Sequence, residues 1–473
     1  MIALILLSSR LVMAEEISPD ALKQFLRDNI DLDKHRIGIV IGFVDEHGTQ
    51  IVSYGKLDNG TDADVNADTV FEIGSISKTF TVLLLEDMVA RGEMKLDDPV
   101  AKYLPESVKV PSRNGEQITL LDLATHMSGL PRNPDNLAPT SGLNPFMDYS
   151  NPFRDYTQEK LYTFLSKHNL RRDPGAEFEY SNLGMGLLGH AIALKAGTDY
   201  ESLLVGRICD PLKMPSTRVT LSPEMMARLA RGHNNKGKLV ANWDLGVLVG
   251  CGGIRSTAND LLKYVAANVG LTTSPLKPLM LDMQVIRHHN AFDPTGTTRG
   301  NTAMPWMDTG VFQPPGMDLL GHGGGTGGYS TFIGFDKKQR RGIVVLSNQL
   351  MFSCSELGFR LLQKLPLDGV TLATIQAQRE VTGIGVALGS DEKTHALRIT
   401  KVLPNSPASQ AGLVAGSIIQ KIDDVSTNGK SLADCVALIR GPVGSKVRLE
   451  LLEPEHEQAS TVEIVRQKFQ TTS

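Results

Sequence analysis

Cysteine is scarce in this chain of 473 residues, and the four present, Cys209, Cys251, Cys354 and Cys435, lie far apart with no Cys-x-x-Cys pair. That spacing offers neither a zinc site nor a disulfide framework, so scattered core thiols are expected. An excess of one charge is also lacking: 48 Lys and Arg stand against 52 Asp and Glu, a formal charge of −4, and no Lys/Arg-rich run occurs. Nucleic-acid binding draws on a strong positive field, so nucleic acid is excluded as an expected partner. No later segment reaches the ~20 uninterrupted apolar residues that a bilayer-spanning helix needs, so the mature chain is expected to carry no transmembrane span.

What is present is enough apolar material for real cores, 41% of the residues, and a length that suggests about three structural units at ~150 residues each. Disorder as the main state is therefore not expected. At the N-terminus, Ile2 to Leu7 form a short apolar run, and Val12-Met13-Ala14 place small or modest side chains just before Glu15-Glu16. Residues 1–14 read as the remnant of a secretory signal, which predicts a periplasmic or secreted protein. The pattern is atypical, because no Lys or Arg precedes the apolar run and Arg10 interrupts it.

Pro19 to Asn29 has helical spacing, and Arg36 to Val44 with Thr49 to Tyr54 read as a β-hairpin across Asp45-Glu46-His47-Gly48. A mostly helical middle follows, broken by a long Asn/Pro/Gly loop from Gly129 to Pro152 of the kind that is usually functional. Ser256 to Asp260 opens another helix. Tyr329 to Phe335 and Gly342 to Ser347 alternate as strands, and Leu357 to Leu365 reads as a helix. Strands at both ends of a helical stretch predict one α/β unit over residues 15–365, its sheet assembled from distant segments with helices packed on it. Residues 366–380 read as a linker, and 381–470 as a second unit rich in short strands and Gly/Pro turns.

Three short stretches carry chemistry. In Phe71-Glu72-Ile73-Gly74-Ser75-Ile76-Ser77-Lys78, a hydroxyl and an amine three residues apart at a helix start share one face, so the amine of Lys78 can reach the hydroxyl of Ser75. An adjacent base activates a weak serine nucleophile, and the helix N-terminus adds donors near a developing oxyanion. Ser53/Lys56, Ser274/Lys277 and Ser390/Lys393 share the spacing, but only Ser75 opens an apolar helix. Next, Tyr180-Ser181-Asn182 precedes the helix Leu183 to Lys195: a phenol can relay protons, and an Asn amide can donate to a substrate carbonyl and accept from a lysine. Tyr149-Ser150-Asn151 repeats that pattern before Pro152. Third, His322-Gly323-Gly324-Gly325-Thr326-Gly327-Gly328 stands just before the strand at Tyr329. Its glycines let a substrate backbone lie close to the sheet edge and leave an N–H free for an oxyanion. The strand preceding it is weak, no helix follows, and the Lys-Ser/Thr ending is missing, so this is no phosphate loop.

Taken together and in this order, these elements resemble the penicillin-binding protein and serine β-lactamase superfamily, most closely its class C β-lactamase, DD-peptidase and esterase branch. Leu121 to Pro131 (LDLATHMSGLP), Pro174 to Leu188 and Gly252 to Leu262 (GGIRSTANDLL) are similar as well. The resemblance covers roughly residues 20–365. It implies an antiparallel sheet flanked by helices with a mainly helical subdomain, and it requires no metal or cofactor. Carried over by position, it implies Ser75 as the acylated nucleophile, Lys78 as its proton acceptor and Tyr180 as the proton shuttle to the leaving group and an aid to the deacylating water, with the primary base left open between Lys78 and Tyr180. Asn182, His322, Gly323 and Gly324 would bind substrate, and the backbone N–H groups of Ser75 and Gly325 would form the oxyanion hole. β-Lactamases of this branch usually carry Lys-Thr-Gly where His322 and Gly323 stand. An imidazole with a reference pKa of ~6.5 is mostly neutral at pH 7, against ~10.4 for lysine, which predicts weaker recognition of a substrate carboxylate and poor penicillin hydrolysis. His126, His190 and the pair His288-His289 lack carboxylates at ligand spacing and are expected in surface or loop roles.

The second unit opens with Gly383-Ile384-Gly385-Val386, followed by Leu397 to Val402, Pro404 to Ala408, Ala411-Gly412-Leu413 and Gly416 to Ile419, and resembles a bacterial PDZ domain. That resemblance implies a loop at Gly383, Ile384, Gly385 and Val386 presenting N–H groups to the C-terminal carboxylate of a peptide or protein, with Ser431 to Ile439 as the helix flanking the groove. The resulting expectation is a serine acyl hydrolase acting on D-amino-acid peptides, β-lactams or small esters. The alternative is a non-catalytic cell-wall peptide sensor whose PDZ unit recruits a partner.

Overall fold

A computed structural model describes residues 17–31, 37–137, 151–234, 236–292, 299–308, 316–350, 354–367, 380–390, 396–403, 406–428, 430, 435, 438–439, 444–454 and 458–470. The signal-like stretch 1–14, most of the expected linker 366–380, Tyr149, Ser150, Lys393, Pro404 and most of the expected helix Ser431 to Ile439 lie outside them. The chain divides into two compact units, one of residues 1–289 with 301–372 and the other of 290–300 with 373–473.

The first unit holds ten helices that matter to its architecture: α1 (Pro19–Ile30), α2 (Ser77–Ala90), α3 (Leu120–Ala124), α4 (Gln158–Lys167), α5 (Asn182–Ala196), α6 (Tyr200–Leu204), α7 (Pro223–Ala227), α8 (Ala258–Asn268), α9 (Lys277–Met283) and α10 (Cys354–Leu362). Its sheet comprises β1 (Gly38–Asp45), β2 (Gly48–Gly55), β3 (Leu319–Gly325), β4 (Ser330–Asp336) and β5 (Arg341–Ser347) in the order β2-β1-β5-β4-β3. All four pairings are antiparallel. The first hairpin therefore closes against strands nearly 300 residues away in sequence, with Ile41 opposite Val345 and Val40 opposite Leu346.

Both faces of this sheet are covered. Val40, Val344, Leu346, Ile333 and Phe335 join one large core that also contains Phe80 to Leu85 of α2 and Leu261 to Val265 of α8. Residues between them point the other way, as strand alternation demands, and Phe332 packs against Phe359 of α10 at 4.7 Å. Two-sided burial explains why β1 reads as the near-continuous apolar run Gly-Ile-Val-Ile-Gly-Phe-Val.

Local signals start the helices. Ser18 accepts the N–H of Ala21 and Pro19 occupies the first turn of α1, whose apolar stripe Leu22, Phe25, Leu26 and Ile30 is buried. Ser181 caps α5 by accepting the N–H of Gly184, and Gly197 ends it in the left-handed region at φ 67°. Both α2 and α5 are apolar on all sides, which suits helices enclosed by protein. Every residue of α2 from Ser77 to Met88 is buried. At ~1.5–3 kcal/mol for each fully buried Leu, Val or Phe, this helix is a rigid support for whatever its first turn carries.

One expectation is corrected: Ser75 lies in a 3-10 turn, Gly74–Ile76, that leads into α2 and not in the α-helix itself. The stretch His322 to Gly325 is strand, the last four residues of β3. Pairing of Gly323 with Phe332 and Gly325 with Ser330 holds it extended despite its glycines.

The second unit contains β6 (Glu380–Gly383), β7 (Val386–Ser390), β8 (Leu397–Val402), β9 (Ile418–Ile422), β10 (Lys446–Leu452), β11 (Ser460–Val465) and β12 (Gln467–Gln470). Its main sheet runs β7-β8-β9-β10-β11, and β6 pairs with β12. Ile399, Ile419, Ile422, Val447 and Leu449 form its core. Gly383 to Val386 joins β6 to β7. Gly385 takes φ 81°, and Ile384 is buried with its carbonyl accepting the N–H of Ala408 at 2.7 Å.

Among the described residues the four cysteines are buried, as expected of scattered core thiols, and no helix is long and apolar enough to cross a membrane.

The close approach of β3 to the Ser75 turn makes a stability prediction. A β-carbon on Gly324 would run into the carbonyl oxygen of Ile73, which is backbone and cannot step aside, whereas Gly206 has open space. Gly324→Ala should cost about 1–3 kcal/mol in denaturant unfolding, and Gly206→Ala should leave the midpoint unchanged within error.

Candidate active site

The site forms where three segments remote in sequence meet. Phe71–Glu72 pairs with Arg255–Ser256, and Glu72 accepts from the Arg255 guanidinium at 3.2 Å and from the Trp243 N–H at 2.8 Å. The chain then turns at Gly74, whose φ of +51° lies in the left-handed region. A β-carbon there would sit 2.6 Å from the Gly325 nitrogen, so the Gly325 amide is held directly beside the turn that carries Ser75. Thr331 of β4 reinforces this contact by donating to the Ile73 carbonyl at 2.9 Å.

Lys78 projects from the first turn of α2 and is fully buried. Its Nζ donates to Ser75 Oγ at 2.9 Å, to Asn182 Oδ1 at 2.9 Å and to the Cys251 carbonyl at 2.6 Å. All three bonds of an ammonium are thus made inside the protein. The Tyr180 ring lies 4.9 Å from the same nitrogen. Asn182, the first residue of α5, spends its carbonyl oxygen on Lys78 and its amide on Asn133 Oδ1 at 3.1 Å. The segment Pro131 to Asn133 is laced to this motif: Ser181 Oγ donates to the Pro131 carbonyl at 2.7 Å and the Asn182 N–H to the Arg132 carbonyl at 2.9 Å. The exposed Arg132 guanidinium lies 5.0 Å from the Tyr180 ring.

Two imidazoles flank Tyr180. His322 on β3 has its ring centre 6.4 Å away. Its Nδ1 faces the Gly323 carbonyl at 2.7 Å, an acceptor only, so Nδ1 carries the proton and Nε2 is a bare lone pair. That Nε2 is buried with no hydrogen-bond partner among the described residues. Burial, helped by the Lys78 cation, pushes the His322 pKa down to about 4. His126 has its ring centre 4.4 Å from that of Tyr180. The Ser181 N–H donates to its Nδ1 at 3.1 Å, which leaves the proton on Nε2, also buried and without a partner among the described residues. Its pKa is lowered well below the usual range by burial, then by Lys78, His322 and Arg132.

Ser75, Lys78, Tyr180, Asn182, His322, Gly323, Gly324 and Gly325 therefore gather in one place. The competing patterns do not share it: Ser53 belongs to β2, Lys277 opens α9, and Asn151 donates to the Asn242 carbonyl. His126 corrects part of an expectation: it stands in the turn after α3, but it is buried beside Tyr180 and not on the surface. His190 likewise is packed at 2.8 Å against the Tyr162 hydroxyl. Arg132, Asn133 and the Cys251 carbonyl were not anticipated at all. A signal for His126 existed in Thr-His-Met-Ser-Gly-Leu-Pro, but its φ of +61° and its stacking belong to tertiary structure. No group of three or more His, Cys, Asp or Glu among the described residues could hold a metal ion.

A β-lactamase family profile matches residues 20–354, and a PDZ-domain profile matches residues 398–453. The chain belongs to the β-lactamase family of serine hydrolases and carries a C-terminal PDZ domain. It is 32% identical over 238 residues to the D-alanyl-D-alanine-carboxypeptidase/endopeptidase AmpH of Escherichia coli (strain K12), a match spanning 50% of this chain and 59% of that protein. A β-lactamase of Lysobacter lactamgenus is 26% identical over 335 residues, covering 66% of this chain and 82% of the relative. Among solved structures, the D-alanine carboxypeptidase AmpC from Burkholderia cenocepacia superposes with a TM-score of 0.58 at 26% identity, over 74% of this chain and 100% of that one. The expected fold, an antiparallel sheet flanked by helices followed by a small β-rich PDZ domain, is the one observed, with five strands in the first sheet.

The buried imidazoles set a pH dependence. With the His322 pKa at about 4 in the folded chain against 6.5 for an ordinary histidine, the unfolded chain binds a proton between those values that the folded chain refuses. Stability is then full above pH 6.5 and falls as pH drops toward 4, by about 3 kcal/mol for this residue. His322→Gln should flatten that acid limb in denaturant titrations, and the His322 ring resonance should show no titration between pH 5.5 and 8, pH values chosen above about 4 for the measurement.

Proposed function

We propose that this chain is a serine acyl hydrolase cleaving D-amino-acid peptides of the DD-carboxypeptidase type through a covalent ester on Ser75. One observation carries the reading: Lys78 Nζ sits 2.9 Å from both Ser75 Oγ and Asn182 Oδ1, beside the Gly325 amide. The reaction starts once Lys78 has given up a proton: Ser75 Oγ attacks the acyl carbonyl and passes its hydroxyl proton to the Lys78 amine across the same 2.9 Å, while Tyr180 gives its phenol proton to the departing amine and recovers one from Lys78. The N–H groups of Ser75 and Gly325 receive the oxyanion, which fixed donors stabilise without reorganisation. Water then hydrolyses the ester, with Tyr180 assisting. The AmpH relative's name supports the peptide class.

The neutral His322 offers no cation at the strand to a substrate carboxylate, which supports slow β-lactam turnover; a C-terminal D-alanine carries the same group, so support for the peptide class comes from the relative's name alone. Small esters are a further substrate class that this machinery suits. A sensor with no turnover is disfavoured because the acceptors around Lys78 are all in place. The apolar stretch Ile2 to Leu7 and Val12-Met13-Ala14 support a periplasmic or secreted location. The PDZ domain supports binding of peptide C-termini, with Gly383 to Val386 as the carboxylate loop.

Incubation with a fluorescent penicillin or a fluorophosphonate should add one adduct mass to the wild type and none to Ser75→Ala; equal labelling of both would remove Ser75 from the mechanism. Lys78→Ala should lower kcat on a D-alanyl peptide by about 10³-fold or more. In a panel of D-alanyl peptides, p-nitrophenyl esters and nitrocefin, nitrocefin should be turned over slowest. Fast nitrocefin hydrolysis by the wild type would overturn the inference from His322, and His322→Lys should raise it. For the PDZ domain, calorimetry on the full chain should detect peptides with a free C-terminal carboxylate and not their amidated forms.

A further inference from the structure

Building on the assignment of Tyr180 as proton donor to the leaving group, we infer that His126 is a positioning residue that sets the place of the Tyr180 hydroxyl, and that its loss selectively impairs substrates whose leaving group needs a proton. Four contacts from one residue hold the segment 178–181. The His126 carbonyl accepts the Glu179 N–H at 2.8 Å. Its Nδ1 accepts the Ser181 N–H at 3.1 Å. Its ring lies against the Tyr180 ring, 4.4 Å between centres and tilted by 32°, and meets Phe178 edge-on at 5.8 Å and 83°. The backbone is thus clamped on both sides of Tyr180 while the phenol ring itself is braced.

His126 achieves this at φ +61°, a region that non-glycine residues adopt only where the surroundings over-determine them. The neighbouring chain supplies that determination: the Met127 N–H bonds to the Asp122 carbonyl at 2.8 Å and the Gly175 N–H to the Met127 carbonyl at 2.8 Å. The clamp works only with a neutral ring, because a proton on Nδ1 would remove the acceptor for Ser181. Lys78, His322 and Arg132, the charged and titratable groups facing the ring besides Tyr180, all disfavour that proton, as does burial. With its proton on Nε2, His126 offers no lone pair on that atom, which argues against a metal ligand.

The leaving groups separate a positioning role from a merely structural one. When an amide is cleaved, the C–N bond breaks as nitrogen gains a proton, and that proton must come from a correctly placed donor. A p-nitrophenyl ester releases a stabilised anion and takes no proton. The experiment therefore compares kcat on a D-alanyl peptide with the acylation burst on p-nitrophenyl acetate for full-length wild type, His126→Leu, His126→Asn, Tyr180→Phe and His126→Leu/Tyr180→Phe. A misplacement of the order of 1 Å costs about 10²-fold, so His126→Leu should lower peptide kcat by about 10- to 100-fold with KM nearly unchanged, and the ester burst at least about tenfold less. His126→Asn keeps an acceptor on a residue that tolerates the left-handed backbone, so it should recover part of the loss and stay folded if His126→Leu does not. In the Tyr180→Phe background, His126→Leu should add nothing, as for residues acting as one unit.

Equal losses on peptide and ester in His126→Asn and His126→Leu, or multiplication of effects in the double variant, would overturn the inference while leaving Tyr180 in its role. Peptide turnover unaffected by Tyr180→Phe would overturn the role of Tyr180 and this inference with it.

Discussion

The first unit of this protein is organised around one buried amine. Lys78 has no access to water, so its three donor positions must be met by protein, and Ser75, Asn182 and the Cys251 carbonyl meet them. Removing an ammonium from water is costly, and leaving any of its donors unmet would add to that cost. The three acceptors come from separate places in the chain: the turn before α2, the first residue of α5 and the end of the 3-10 helix Gly246–Cys251.

Around that amine the electrostatics are graded. The two imidazoles beside Tyr180 are held neutral by burial and by the neighbouring Lys78, and Arg132 remains exposed against the Tyr180 ring. The imidazoles hold their protons on opposite nitrogens, His322 on Nδ1 and His126 on Nε2, because one faces a carbonyl and the other an N–H. The site thus keeps polar atoms next to the reacting groups without adding a second buried charge.

The PDZ domain is a separate compact unit with its own core of Ile399, Ile419, Ile422, Val447 and Leu449. A PDZ domain suggests peptide binding.

By itself the sequence determined the elements and the order of the chemistry. The Ser75/Lys78 spacing, Tyr180-Ser181-Asn182 before an apolar helix, the hairpin at Asp45 to Gly48 and the alternation of β4 and β5 are local patterns, and local patterns follow from rotamer, capping and burial periodicity. The four scattered cysteines were legible for the same reason. Tertiary structure alone decided what lies opposite what: that β5 and not β2 is the inner neighbour of β1, that His322 to Gly325 is an edge strand, and that the Gly325 amide abuts the Ser75 turn. It also decided the place of His126, whose local motif does not encode its left-handed backbone or its stacking on Tyr180. Partners separated by 55 residues, as Ser181 and His126 are, leave no period in a sequence; only the closing of the chain brings a left-handed backbone, a ring and an N–H into register.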